Sequence, residues 1–274
     1  MNALLDALLN ALARLGARAL AALALPVAAW RLGGETIAAA LRRLRGRSRH
    51  RRGDVVRELY AQGNRSVGFV ALTLGFLGMV MTYQACLQLL RITGDTSQVG
   101  PQFLRLVVSD LGATLTGMML ATRVGAGIAA ELGAMKVTDQ LDALRMSGVS
   151  PVEYLVVPRL LASVLATLAL SVFGAAAMFA AAGLTAKFSF GVNPVVFFDP
   201  SQVTGAHLVV GALKAASYGV VIPIIAAACG MSARGSSEGV GWATTAAVIG
   251  GSFAVLALDF AWSALAYLVL GGRL

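Results

Sequence analysis

With 274 residues, 58% of them hydrophobic and only 13% charged, the chain carries too little charge to cover a water-soluble domain of its length. Its mean hydropathy of +0.78 comes in long uncharged blocks, the mark of a membrane protein, and no hydrophilic stretch is long enough for a second core. The net charge of +9 does not point to nucleic acid, because twelve of the 22 Lys/Arg crowd into residues 1–66 without interleaved aromatic residues.

Residues 2–18 read as an amphipathic helix. Asn2, Asp6, Asn10, Arg14 and Arg18 recur every four residues, and Leu4, Leu5, Leu8, Leu9, Leu12 and Leu15 fill the other face. Such a helix lies in the membrane interface rather than crossing it. A signal peptide with residues 19–29 as its apolar core is the rival reading. The first charge, Asp6, and the late basic residues weigh against it. Pro26 and the Gly33-Gly34 pair are expected to break the chain, and a strongly basic helix is expected over residues 35–45. The run Arg42, Arg43, Arg45, Arg47, Arg49, Arg51 and Arg52 precedes an apolar span, as expected of a cytoplasmic flank facing anionic lipid. Residues 1–66 thus form an interfacial, basic segment on the cytoplasmic side, and 67–274 a transmembrane domain.

Five spans follow, over residues 69–90, 108–130, 160–186, 208–232 and 243–270. The second carries Asp110 and Arg123, the fourth Lys214 and the fifth Asp259. With the N-terminus inside, 17 of the Lys/Arg fall on the cytoplasmic side and five (Arg91, Arg105, Lys187, Lys214, Arg273) on the other. An odd number of spans then places the C-terminus outside. Gly75, Gly78, Gly112, Gly117, Gly174 and Gly183 sit within the spans, where small residues let helices approach closely.

Gly235-Ser236-Ser237-Glu238-Gly239 matches the nucleophile elbow GxSxG, but the motif needs a strand-turn-helix setting and a histidine. His50 and His207 fall in the basic flank and near the opposite face. Gly125-Ala126-Gly127 lacks the third glycine of a dinucleotide loop, and no GxxxxGK[ST] occurs, so the chain has no P-loop of its own. Cys86 and Cys229 sit in apolar blocks as small hydrophobes, and two cysteines with two histidines do not make an ordinary metal site. Residues 123–159 combine Glu131, Lys136, Asp139, Asp142, Arg145 and Glu153 with Leu132, Met135, Leu141, Leu144 and Met146 at three- and four-residue steps. That pattern predicts a short amphipathic helix, closed by Gly148 and Pro151, which suits docking to a cytoplasmic partner. Asp259 and Lys214 are functional candidates because ionisable groups are costly in a span; a structural pair or a snorkelling lysine is the alternative. Gln84 and Gln88, four residues apart, share one face of an otherwise uncharged span.

The run from Ala121-Thr122-Arg123-Val124-Gly125 through Glu131-Leu132-Gly133-Ala134-Met135 and Asp139-Gln140-Leu141-Asp142 resembles the MlaE/YrbE family, the permeases of MCE-type lipid ABC transporters. A second block, Ala243-Thr244-Thr245-Ala246-Ala247-Val248 to Leu256-Ala257-Leu258-Asp259-Phe260, agrees, and the similarity covers about residues 55–270. The resemblance implies an all-α membrane fold and a permease that moves phospholipid or a similar lipid between the inner membrane and a periplasmic partner, in the service of outer-membrane lipid asymmetry. It implies a homodimer with a cytoplasmic ABC ATPase dimer, which would bind the ATP and Mg, and a membrane-anchored periplasmic MCE-domain protein, and leaves room for a small cytoplasmic accessory protein. The chain itself is then no enzyme and carries no cofactor.

By position, residues 131–158 match the family's coupling loop, with Glu131, Lys136, Asp139 and Asp142 as candidate ATPase contacts. Met81, Gln84, Gln88, Leu89 and Ile92 would line the lipid cavity, which the first and fifth spans form between two copies, and Lys214 matches a family lysine near it. Ser109-Asp110-Leu111-Gly112-Ala113 departs from the family's Arg-Glu-Leu-Gly-Pro at the entrance to the second span, so the resemblance carries no head-group contact over to that position. Two rival readings remain: an ion-coupled secondary transporter using Asp259 and Lys214, and a lipid hydrolase resting on Ser237.

Overall fold

The computed structural model describes residues 25–43 and 53–270. The interfacial helix expected over 2–18 and most of the basic run lie outside them. All regular structure among the described residues is helical, and five helices are long and apolar enough to cross a membrane.

The break expected at Gly33-Gly34 is absent, since residues 25–43 form one helix, α1; Pro26 stands in its first described turn, and the chain before it lies outside the described residues. A glycine inside a helix costs about 1 kcal/mol against alanine. Packing offsets that here: Gly33 lies against Ile224, and Ala39 and Ala40 are buried with Val157 and Leu160. A 3.1 Å ion pair from Arg42 to Glu153 ties the other end of α1 down.

The spans are α2 (Gly53–Ile92), α3 (Val99–Val137), α5 (Val152–Phe190), α7 (Gly205–Met231) and α8 (Ser237–Leu270). Short helices α4 (Gln140–Met146) and α6 (Pro194–Phe197) lie in the connections. The spans run past the apolar stretches read from sequence, because hydropathy marks only the buried middle of a helix whose ends carry charge. Residues 66 and 67, where basic sequence gives way to apolar, lie inside α2. The turn at 147–149 ends α4 with Gly148 at φ +75°, a left-handed conformation that suits glycine, and its N–H bonds back to the Arg145 carbonyl.

The long helices pack side by side in a fixed order. α2 rests chiefly on α5; α5 also meets α3 and α7; α8 lies on α7 and α3. Thus α2 and α8 stand at opposite edges of the bundle. Close approach is set by small residues: a Cβ on Gly78 would collide with the Met178 carbonyl, and one on Gly211 with the Val108 carbonyl. Cys86 and Cys229 are unpaired and buried, as read from sequence.

Four π-turns interrupt α2, α3 and α5, at Tyr60–Asn64, Val107–Leu111, Ala121–Gly125 and Val152–Val156. Each carries a polar side chain that reaches another helix. Gln62 donates to the Arg159 carbonyl, Asp110 pairs with Lys214, Arg123 donates to Ser66, and Glu153 pairs with Arg42. The extra residue in each turn re-aims a side chain that a regular helix would point elsewhere.

Candidate functional site

Three helices bring a polar cluster together inside the bundle, towards the end that carries α6. Lys214 of α7 is 2% exposed. Its ammonium donates to Asp110 of α3, to Asp259 of α8 at 2.7 Å, and to the Ser263 hydroxyl at 2.8 Å. Thr114 and Tyr218 each donate to the same Asp259 oxygen at 2.9 Å. One ammonium therefore faces two carboxyl groups, with three further hydroxyls completing the network. Each helix contributes a pair four residues apart: Asp110 and Thr114, Lys214 and Tyr218, Asp259 and Ser263. That spacing puts both members of a pair on one helical face, aimed at the shared centre. Of the six, the sequence reading singled out Lys214 and Asp259 as charges in spans. It noted Asp110 as a charge in the second span and as a departure from the family pattern, and it missed Thr114, Tyr218 and Ser263.

The candidate lipid contacts on α2 divide. Met81, Gln84, Gln88 and Ile92 are all exposed and form one stripe along the helix, continuing Leu77. Among the described residues neither glutamine amide has a hydrogen-bond partner. Leu89 is turned away from this stripe and packs on the buried cluster around Phe103, Phe179 and Phe197. Lys214 does not join the stripe within one chain, because it faces α3 and α8 while α2 lies on α5. The stripe on α2 and most of α8 are uncovered, and only 11% of the apolar stretch of α8 is buried against 44% for those of α3, α5 and α7.

At the opposite end, the expected amphipathic stripe is split: Leu132 and Met135 fall in the last turns of α3, and only Gln140–Met146 forms the short helix α4, closed at Gly148 as read from sequence. That helix is separated from α3 by a turn in which Asp139 is exposed and adopts φ +58°. Glu131 and Lys136 belong to the last turns of α3. Lys136 donates to Asp142 at 2.9 Å, and Arg145 does so at 3.1 Å, so Asp142 fastens α4 to the end of α3. The hydrogen bond from Lys136 holds the Asp142 carboxyl below its ordinary pKa. Met146, 85% exposed, stands out from the loop. Glu131 pairs at 2.7 Å with Arg159, which is 4% exposed and also pairs with Glu58 at 3.4 Å. This second ionic cluster joins α2, α3 and α5 directly behind the loop.

Ser237 opens α8 at this end, while His207 is buried in the first turn of α7 at the other, with its Nδ1 engaged by Thr204. The 27 residues of α7 hold them about 40 Å apart. His50 lies outside the described residues. The GxSxG match therefore has no histidine partner among the described residues.

The profile of the family described as Permease MlaE matches residues 55–265. A probable ABC transporter permease protein of Synechocystis sp. is 34% identical over 85% of this chain and 88% of its own length. The Arabidopsis thaliana chloroplast protein TRIGALACTOSYLDIACYLGLYCEROL 1 is 30% identical over 81% of this chain, which spans 63% of that protein. The Haemophilus influenzae intermembrane phospholipid transport system permease protein MlaE is 30% identical over 78% of this chain and 82% of its length.

Proposed function

The chain belongs to the MlaE permease family of ABC-type transporters, and on that premise we propose that it moves phospholipid or a similar amphiphile between the bacterial inner membrane and a periplasmic MCE-domain protein. The observation that carries the lipid path is the exposed stripe of α2, apolar apart from two amides with no partner among the described residues. An unpaired amide against acyl chains alone costs on the order of 1–3 kcal/mol. A face of this kind suits a cavity where tails, head group and water meet. Because α2 and α8 stand at opposite edges, a cavity walled by both needs a second copy, and we take the working unit as a homodimer.

The ATPase partner, which binds ATP and Mg, docks at the end carrying α4. That end carries Lys136, Arg145, Arg159 and Arg234, and by the Lys/Arg bias of cytoplasmic loops this supports placing it and the N-terminus in the cytoplasm and the C-terminus in the periplasm. Asp142 fixes α4 on α3, and Arg159 fixes α3 on α2 and α5, so a push on α4 reaches the spans through ionic contacts. The name of the Haemophilus protein supports phospholipid as the cargo. Lys214 and Asp259 satisfy one another, which removes the main reason to assign them to ion coupling.

Purification at native expression, followed by reconstitution in lipid vesicles, tests the reading. An ATPase subunit is expected in stoichiometric amount, with lipid transfer that stops without ATP. Lipid flux by the chain alone, indifferent to ATP, overturns it.

A further inference from the structure

Away from both the α2 stripe and the polar cluster, a groove of about 290 Å³ lies between α3, α5 and α7. Leu104, Val108, Ala175, Ala176, Leu208 and Ala212 give it apolar walls, and it sits within three helices of membrane-spanning length. Its depth has a local cause. Gly112 lies against Ala175, and Gly211 against the Val108 carbonyl, so the helices touch at the floor while the alanines above leave the space open. Hydrocarbon fills such a groove by default.

One end of the groove is chemically distinct. Arg105 follows Leu104, and His207 precedes Leu208, at the end of the bundle that carries α6. Arg105 is half-buried, has no hydrogen bond or carboxylate partner among the described residues, and stands within electrostatic range of His207. His207 is 2% exposed. Its Nδ1 accepts the Thr204 backbone N–H at 3.0 Å, which assigns the ring proton to Nε2. That Nε2 is buried with no partner among the described residues. Arg105 lies one helical turn before Val108, and His207 one turn before Gly211, both of which line the groove, so two donors without acceptors among the described residues stand at its α6 end. A guanidinium without a carboxylate suits a phosphate, which it holds by paired N–H donors.

We propose that this groove is a binding site for an anionic phospholipid, with one acyl chain between α3, α5 and α7 and the phosphate against Arg105. The site is separate from the path along α2 and requires only that the chain be in a membrane, not that it transport lipid. To test it, benzoylphenylalanine replaces Ala176 in the full-length chain, in phosphatidylcholine vesicles with a minor share of phosphatidylglycerol. Mass spectrometry then identifies the crosslinked lipid. Phosphatidylglycerol is expected about fivefold above its bulk share, the factor one basic residue gives at an anionic surface. The enrichment falls to the bulk share in Arg105→Gln and returns in part in Arg105→Lys. Ala212→Phe, at an exposed position, fills the groove and lowers total capture. Capture at the bulk ratio in the parent chain, or enrichment that survives Arg105→Gln, overturns the site. Because neither ATP hydrolysis nor transfer is measured, this outcome is independent of the transport reading.

Discussion

The Lys214 ammonium of α7 lies 2.7 Å from the Asp259 carboxylate of α8, and the same ammonium reaches Asp110 of α3. Three spans that share no sequence neighbourhood are thereby fixed in rotation as well as in distance, since Thr114 and Tyr218 converge on the same Asp259 oxygen. Removing one partner of a buried pair is far costlier than replacing both, because a charge is left without compensation. Lys214→Ala is therefore expected to destabilise the chain by about 3–5 kcal/mol. Thermal unfolding of Lys214→Met, Asp259→Leu and the double variant measures the coupling. The double variant is expected to be more stable than the sum of the single losses. Strict additivity would remove the cluster from the account of how these spans are held.

Glu131 and Arg159 make a second prediction. Glu131 is exposed enough to look like a docking residue, yet its carboxylate is committed to a buried guanidinium. Arg159→Ala strands Glu58 and Glu131 near one another and cuts the link from α3 to α2. We expect ATP hydrolysis by the assembled complex to continue while lipid transfer falls at least about tenfold, as for the loss of an interaction worth about 1.4 kcal/mol. Glu131→Gln, which keeps a hydrogen bond, is expected to retain most transfer. Equal transfer in Arg159→Ala and the parent would show that the ionic link carries no motion.

Asp142 sets a pH window. Its carboxyl is held below the ordinary value by Lys136, so its anchoring of α4 is fully present above the unfolded pKa of about 4 and is lost as pH falls through the lower folded value. Hydrogen exchange over residues 138–146 is therefore expected to be flat from about pH 5 to 8 after correction for intrinsic rates, and to quicken only in acid. Asp142→Asn is expected to show the quickened pattern throughout. A transition near neutrality would assign the anchoring to another group.

Ser237 gives a plain negative control. No histidine among the described residues stands near it, so Ser237→Ala is expected to leave transfer within about twofold of the parent. Loss of a true nucleophile costs several orders of magnitude. Abolished activity with intact assembly would revive the hydrolase.

The spans were legible in the sequence because long uncharged blocks have few other uses, and α4 because Leu141 and Leu144 alternate with Asp142 and Arg145 at helical spacing. The span ends were not, since Glu58 and Arg159 are paid for by ion pairs across 28 or more residues of chain that hydropathy does not register. The four π-turns were hidden for the same reason: each is selected by a distant polar partner rather than by local propensity. The polar cluster was half legible. Asp110 with Thr114, Lys214 with Tyr218, and Asp259 with Ser263 repeat one spacing in three spans, a signal available before any coordinates. Gly33-Gly34 misled, because propensity foretells a break that packing on Ile224 overrides.

The face of α2 carries the last prediction. Met81, Gln84, Gln88 and Ile92 line one exposed stripe, while Leu89 packs into the Phe103 and Phe179 cluster. A charge should therefore act differently at two positions only eight residues apart. Met81→Arg is expected to abolish lipid transfer with assembly and melting temperature nearly unchanged. Leu89→Arg buries a cation among aromatic rings and is expected to lower stability by several kcal/mol before any transport effect is seen. The glutamines discriminate further. If they faced bulk lipid, Gln84→Leu with Gln88→Leu would stabilise the chain and leave transfer alone, because the desolvation cost of two amides is relieved. If they line the path of a head group, the same double variant loses about thirtyfold in transfer, as expected for two hydrogen bonds of about 1 kcal/mol each made during passage. Unchanged transfer in the double leucine variant, together with unchanged transfer in Met81→Arg, would move the lipid path off α2 altogether.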